Sequence, residues 1–112
     1  MKLEEKMHRI KVTQKAKNDI RDCYDYIYDV LKNEISANSM LDKIENAFRA
    51  LELDPLHFPK TNDDFLDLLD IRYIQINNYL CFYNINNELS EINIIRFMYG
   101  KRDWKEILKN LP

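Results

Sequence analysis

The residue types that most often carry out chemistry are sparse in this chain and poorly spaced for it. Cys23 and Cys81 stand 58 positions apart, with no His or Cys near either at metal-ligand spacing. His8 and His57 are isolated, so neither a metal site nor a nucleophile–base pair is expected of them. What remains is cationic. Arg96, Lys101, Arg102 and Lys105 crowd the end of the chain, with Tyr99 among them. Grouped guanidinium and ammonium ions attract anions, or an acidic protein surface. Tyr24, Tyr26 and Tyr28 alternate, and residues two apart on a helix do not share a face, so they are not expected to form a stacking platform.

The charge is unevenly arranged. Residues 1–21 hold seven basic and three acidic groups, residues 22–93 five and fourteen, and residues 94–112 five and two. The formal total of −2 therefore averages two basic ends and an acidic middle. If the fold brings the ends together, one face is basic although the chain is acidic.

The elements that must position these groups can be read from periodicity. Ile10 and Val12 alternate with Arg9 and Lys11 as in a half-buried strand. Thr13 offers an oxygen to start a helix. Ala16, Ile20, Cys23, Tyr24, Ile27 and Leu31 then form one helical stripe, with Asp19, Asp22, Asp25 and Asp29 on a face expected to be solvated. Ser36 is the candidate cap of a second helix, with Ile35 and Met40 as a hydrophobic staple. That helix ends at Asp54-Pro55, because a residue before proline disfavours the helical region. Residues 56–69 read as a loop in which Phe65, Leu66, Leu68 and Leu69 could form a short helical turn. Ile71–Ile76, Tyr79–Ile85 and Glu91–Tyr99 read as strands of an antiparallel meander, turning at Asn77-Asn78 and at Asn86–Glu88. Trp104, Ile107, Leu108 and Leu111 mark a short helix over Arg102–Asn110. The order β-α-α-β-β-β-α defines an α+β domain, a helical hairpin on a small, mostly antiparallel sheet.

A chain of 112 residues is expected to be one domain over 1–112. It is long enough to bury roughly two thirds of its unfolded surface. With 46% apolar and 32% charged residues it has the composition of a soluble globular protein. No stretch approaches the ~20 apolar residues of a membrane span. Met1–Arg9 lacks an apolar signal core, which argues for a cytoplasmic location and reduced thiols.

The turn at Asn77-Asn78 fixes a register: Ile76 opposite Tyr79, Ile74 opposite Cys81, Arg72 opposite Tyr83. Tyr73, Gln75, Leu80 and Phe82 then share the other face of the sheet. A helical hairpin covers one face only, so this second face is expected to take a partner, unless residues 56–69 and the last helix close it.

Tyr79-Leu80-Cys81-Phe82-Tyr83, followed by Ile94-Ile95-Arg96-Phe97-Met98-Tyr99-Gly100-Lys101-Arg102-Asp103-Trp104 and Ile107-Leu108, resembles the RelE/ParE family of toxins from bacterial type II toxin–antitoxin systems. The resemblance runs from about His8 to Leu108. It implies a growth-inhibiting toxin neutralised by a cognate antitoxin, with no cofactor, no metal and no sequence-specific DNA binding of its own. RelE-like members cleave messenger RNA on the ribosome, which needs a base, cationic stabilisation of the phosphorane-like state and an acid. ParE-like members instead poison DNA gyrase. For a nuclease, the resemblance implies a site made of Arg72, Arg96, Tyr99, Lys101 and Arg102. Leu80 and Leu108, however, stand where nucleases carry an arginine and a tyrosine, and Met98 where one subgroup carries a histidine. A leucine cannot replace a phosphate-binding arginine, whose charge-assisted bond contributes about 1.5–3 kcal/mol. The expectation is therefore a ParE-like mode, with a ribosome-dependent endoribonuclease or an inactive, antitoxin-binding member as alternatives.

Overall fold

The computed structural model describes residues 7–111. A short strand, β1 (Arg9–Val12), leads into α1 (Gln14–Asp25), which continues as a π-helical turn over Tyr26–Val30. The second arm of the hairpin is α2 (Glu34–Leu53), followed by a 3-10 turn at Pro55–His57 and a five-residue helix, α3 (Asp64–Leu68). The meander is β2 (Arg72–Ile76), β3 (Tyr79–Asn86) and β4 (Glu91–Tyr99), and α4 (Trp104–Lys109) closes the chain. The sheet order is β1-β4-β3-β2, with β1 parallel to β4 and the other pairs antiparallel. This is the α+β arrangement expected, with α3 as an added short helix.

Local chemistry explains most boundaries. Thr13 accepts the Ala16 N–H at 3.1 Å and starts α1. The cap of α2 is Asn33, not Ser36: the Asn33 side chain accepts the Ser36 N–H at 2.9 Å. The staple does not form, because Met40 is buried while Ile35 stays exposed. Asn77 turns the β2–β3 hairpin with φ of 55°, a left-handed conformation asparagine tolerates. The register matches the expected one, from Ile76–Tyr79 to Arg72–Tyr83.

The α1 stripe is interrupted. Leu31 N–H bonds to the Tyr26 carbonyl at 3.1 Å, a five-residue spacing that widens the turn. The wider turn rotates the residues beyond it, so Ile27 is buried but Leu31 is exposed.

Both sheet faces are covered. On one, Ile76, Cys81, Tyr83, Ile92, Ile94 and Phe97 pack against Ala16, Cys23, Met40, Ile44 and Leu51 of the hairpin. On the other, Phe82 and Met98 pack with Leu66 of α3 and Leu108 of α4, and Trp104 lies 5.0 Å from the Phe82 ring. The face expected to be open is thus closed from within. Phe82 is fully buried, Tyr73 and Leu80 are half-buried, and only Gln75 is exposed. Asp63 pins this cover: it caps α3 by accepting Leu66 N–H and holds Lys109 of α4 at 3.1 Å. Those two contacts hold the Asp63 carboxyl below the usual carboxylate range.

Candidate functional site

The strand β1 ends at Val12, so beyond Ile94 the outer edge of β4 has no strand neighbour. The start of α1 takes its place. Thr13 Oγ1 donates to the Ile95 carbonyl at 3.0 Å, and Asp19 accepts the Phe97 N–H at 3.0 Å. Between them β4 bulges: Phe82 faces Arg96 while Tyr83 faces Ile94, leaving Ile95 as the extra residue. The bulge brings Arg96 back toward α1, where Nε and Nη2 donate to the two Asp19 oxygens at 2.7 and 3.0 Å. Both side chains are nearly buried, at 12 and 13% exposure. The Asp19 carboxylate raises the Arg96 pKa and keeps the guanidinium charged. Asp19, expected on a solvated face, is an internal anchor.

The five residues implied for a nuclease are not gathered. Arg96 is committed to Asp19. Arg72 lies toward the opposite end of the strands, where Nη1 donates to the Phe58 carbonyl at 2.8 Å and Nε stands 3.9 Å from Asp70. Its strand neighbour Tyr83 donates its hydroxyl to the Pro55 carbonyl. Only Tyr99, Lys101 and Arg102 remain together, at the corner after β4. Gly100 allows that corner: its N–H bonds to the Asn78 carbonyl at 2.7 Å, and an added Cβ would lie 3.2 Å from the same oxygen. Asp103 precedes α4 without a side-chain capping bond, while its carbonyl accepts Ile107 N–H.

The corner opens onto a groove. A hollow of about 430 Å³ is lined by Tyr26, Tyr79, Tyr99 and Arg102. It adjoins one hollow bordered by Leu31, Met40 and the Asn77-Asn78 turn, and another bordered by Asp22 and Cys23. The Tyr79 ring stacks on Phe97 at 4.9 Å, and Tyr99 meets it edge-on at 5.7 Å. Burial, followed by the Cys23 contact, pushes the Tyr79 phenol well above its ordinary pKa, so it stays a neutral hydrogen-bonding group. Desolvation also raises Cys23, and takes the fully buried Cys81 thiol up to about 12. Tyr26 and Leu31 stay exposed along the far bank. The π-helical turn that presents this bank leaves no mark in the apolar spacing, because Leu31 still falls on the helical stripe. The groove therefore offers aromatic and aliphatic surface between a carboxylate, Asp22, and a basic corner. Mixed aromatic and aliphatic surface with a charged rim is the composition common at protein–protein interfaces. Among the described residues, no cluster of His, Cys, Asp and Glu could hold a metal ion. None of the helices among the described residues is long and apolar enough to cross a membrane.

Comparison with known proteins agrees with this architecture. Residues 10–104 match the family model described as the ParE toxin of the type II toxin–antitoxin system parDE. The chain belongs to that toxin family. Among solved structures, it is similar to a chain of the chromosomal ParDE toxin–antitoxin system from P. aeruginosa. That match has 18% identity and a TM-score of 0.68, over 87% of this chain and 100% of the other. It is also similar to a chain of the RelBE2 toxin–antitoxin complex from Mycobacterium tuberculosis. There the identity is 17% and the TM-score 0.57, over 83% of this chain and 98% of the other. At these identities the structures share the fold. No curated protein sequence matches the chain.

Proposed function

We propose that this chain inhibits growth in the ParE-like mode, by binding a protein target such as DNA gyrase in the cytoplasm, and that a cognate antitoxin neutralises it. The observation that carries this reading is the dispersal of the cationic groups. Two arginines of the implied nuclease set serve the fold, Arg96 on Asp19 and Arg72 on the Phe58 carbonyl. A phosphoryl-transfer site needs its cations converging on one phosphate. What converges instead is a tyrosine-lined groove with exposed apolar banks, the composition of a protein-binding surface. The toxin–antitoxin complexes among its structural relatives support the antitoxin partner.

Induced expression in a bacterial host tests this reading. Growth should stop with filamentation, DNA-damage signalling and gyrase-linked DNA breaks, while transcripts remain intact. Arrest with ribosome-dependent transcript cleavage and intact DNA would instead establish an endoribonuclease using Tyr99, Lys101 and Arg102. Absence of any growth effect in a host retaining the target would mark an inactive member.

A further inference from the structure

The tyrosine groove does not end at the basic corner. The hollow of Tyr26, Tyr79, Tyr99 and Arg102 shares Tyr99 with a second hollow, bordered by Gln75, Asn78 and Lys101. That one shares Gln75 with a third, which lies between α2 and β2 and is bordered by Lys43, Ile76 and Asn77. The three follow one another around the Asn77-Asn78 turn. Each carries one exposed cation, Arg102, Lys101 and Lys43 in that order. The turn between them is fixed from both sides. The Asn78 carbonyl accepts Gly100 N–H at 2.7 Å, and the Asn77 carbonyl accepts Gln75 Nε2 at 2.9 Å. Lys43 Nζ donates to Asn77 Oδ1 at 3.1 Å, a neutral acceptor that holds the ammonium in place and leaves its charge unmatched. A surface ordered in advance loses less entropy when a partner binds.

None of the three cations has a carboxylate partner among the described residues. Asp19 borders the groove but is already neutralised by Arg96, which leaves Asp22 as the carboxylate beside Arg102. Three cations against one anion make this rim basic, although the chain carries −2 overall. The cations are strung out, one to a hollow, whereas a phosphoryl-transfer site gathers them on one phosphate. Leu31 and Met40 beside the first hollow add aliphatic surface, which an apolar side chain fills and a sugar–phosphate chain does not. Spaced positive charge next to apolar surface complements a protein segment with carboxylates along one flank.

We infer that the target protein presents an acidic amphipathic segment to this surface. An apolar side chain enters the hollow at Tyr79 and Tyr99, and carboxylates along its flank meet Arg102, Lys101 and Lys43. Lys43 thereby becomes a specificity-determining residue, although it lies beyond the tyrosine-lined hollow and on a different element. The inference rests on the reading of the groove as the target-binding surface and adds the chemistry of what the groove recognises.

The test uses the full chain, isotopically labelled, and two synthetic helices with leucines at i, i+3, i+4 and i+7. One carries glutamate and alanine at the remaining positions, the other lysine and alanine. The glutamate helix should shift the amides of Asn77, Asn78, Tyr99 and Lys101 saturably, the lysine helix should not, and about 0.5 M salt should weaken binding. Lys43→Glu with Lys101→Glu should reduce affinity about tenfold or more, while Lys43→Arg should retain it. In the induction assay, Lys43→Glu should raise the expression level needed to stop growth severalfold, with its amide spectrum away from the turn unchanged. Equal binding of both helices, shifts centred elsewhere, no binding, or undiminished growth inhibition by Lys43→Glu would overturn the inference. A single-stranded RNA oligomer that displaces the glutamate helix and depends on Lys43 would assign the arc to nucleic acid and equally overturn it. Growth arrest with cleaved transcripts would instead defeat the target-binding reading, which the titration does not measure, so the two failures are told apart.

Discussion

Arg96 and Arg102 stand six positions apart, on β4 and at the corner after it, and do opposite things. Arg96 makes two hydrogen bonds to a nearly buried carboxylate and ties the sheet edge to α1. Arg102 is exposed and lines the tyrosine groove. The bulge at Ile95 separates the two roles by turning the Arg96 side chain toward the helix. Residue type alone therefore does not assign a cation to a functional site; the partner that awaits it does. The same holds for the carboxylates of α1. Asp19 anchors the strand, while Asp22, one turn on, faces the groove.

The largest test of this contrast is Arg96→Ala. Leaving Asp19 without its cation should destabilise the fold by about 3 kcal/mol, read by urea denaturation. Asp19→Ala should do similar damage, and the double mutant should lose less than the sum of the two. A loss under about 0.5 kcal/mol would move Arg96 into the class of Arg102. Next comes Tyr83→Phe at the Arg72 end of the strands. Removing the donor to the Pro55 carbonyl should cost about 1–2 kcal/mol, with growth inhibition retained at permissive temperature.

Arg102→Ala should change stability by less than about 0.5 kcal/mol and Tyr99→Ala, which loses the edge-on contact with Tyr79, by about 1 kcal/mol, yet each should abolish growth inhibition in the induction assay. Toxicity surviving both changes would remove the groove from the mechanism. A gentler contrast concerns α4, just past the corner. Folding holds the Asp63 carboxyl below its ordinary value, so its contribution is full above that value and is lost as pH falls through the folded pKa. Acid should therefore loosen α4 early, seen as faster amide exchange at Ile107 and Leu108. Asp63→Asn should remove that acid step. The smallest effect is at the thiols: the buried Cys23 and Cys81, both with raised pKa, should resist alkylation in the native protein at pH near 8.

Much of the frame was legible in the residues. Thr13, the Asn77-Asn78 turn and the alternation in β2 and β3 act locally, and they set the strand register and the two sheet faces. The misreadings have different physical causes, one of them a long-range partner. Asp19 looks solvated because its neighbours on the helix are polar, and its real partner is 77 positions away. Ser36 lost the cap to Asn33, which can equally accept a backbone N–H and lies earlier. Residues 56–69 showed apolar content without a clear period, so closure of the second face by α3 and α4 stayed one of two readings. The candidate site was the least legible part. Its basic corner was visible, but neither the bulge that removes Arg96 nor the wide turn that exposes Leu31 has a signature in spacing.

The wide turn also has a meaning at the level of the reading frame. A π-helical turn is an α-helix carrying one residue too many. Deleting a single codon within Tyr26–Val30 would restore ordinary helical bonding and swing the downstream side chains by about 100°. Leu31 would return toward the core stripe, and the groove would lose part of its far bank while β4 and its corner stayed in place. A one-codon deletion at this point is thus a short mutational route from this chain to one of the same fold without that bank.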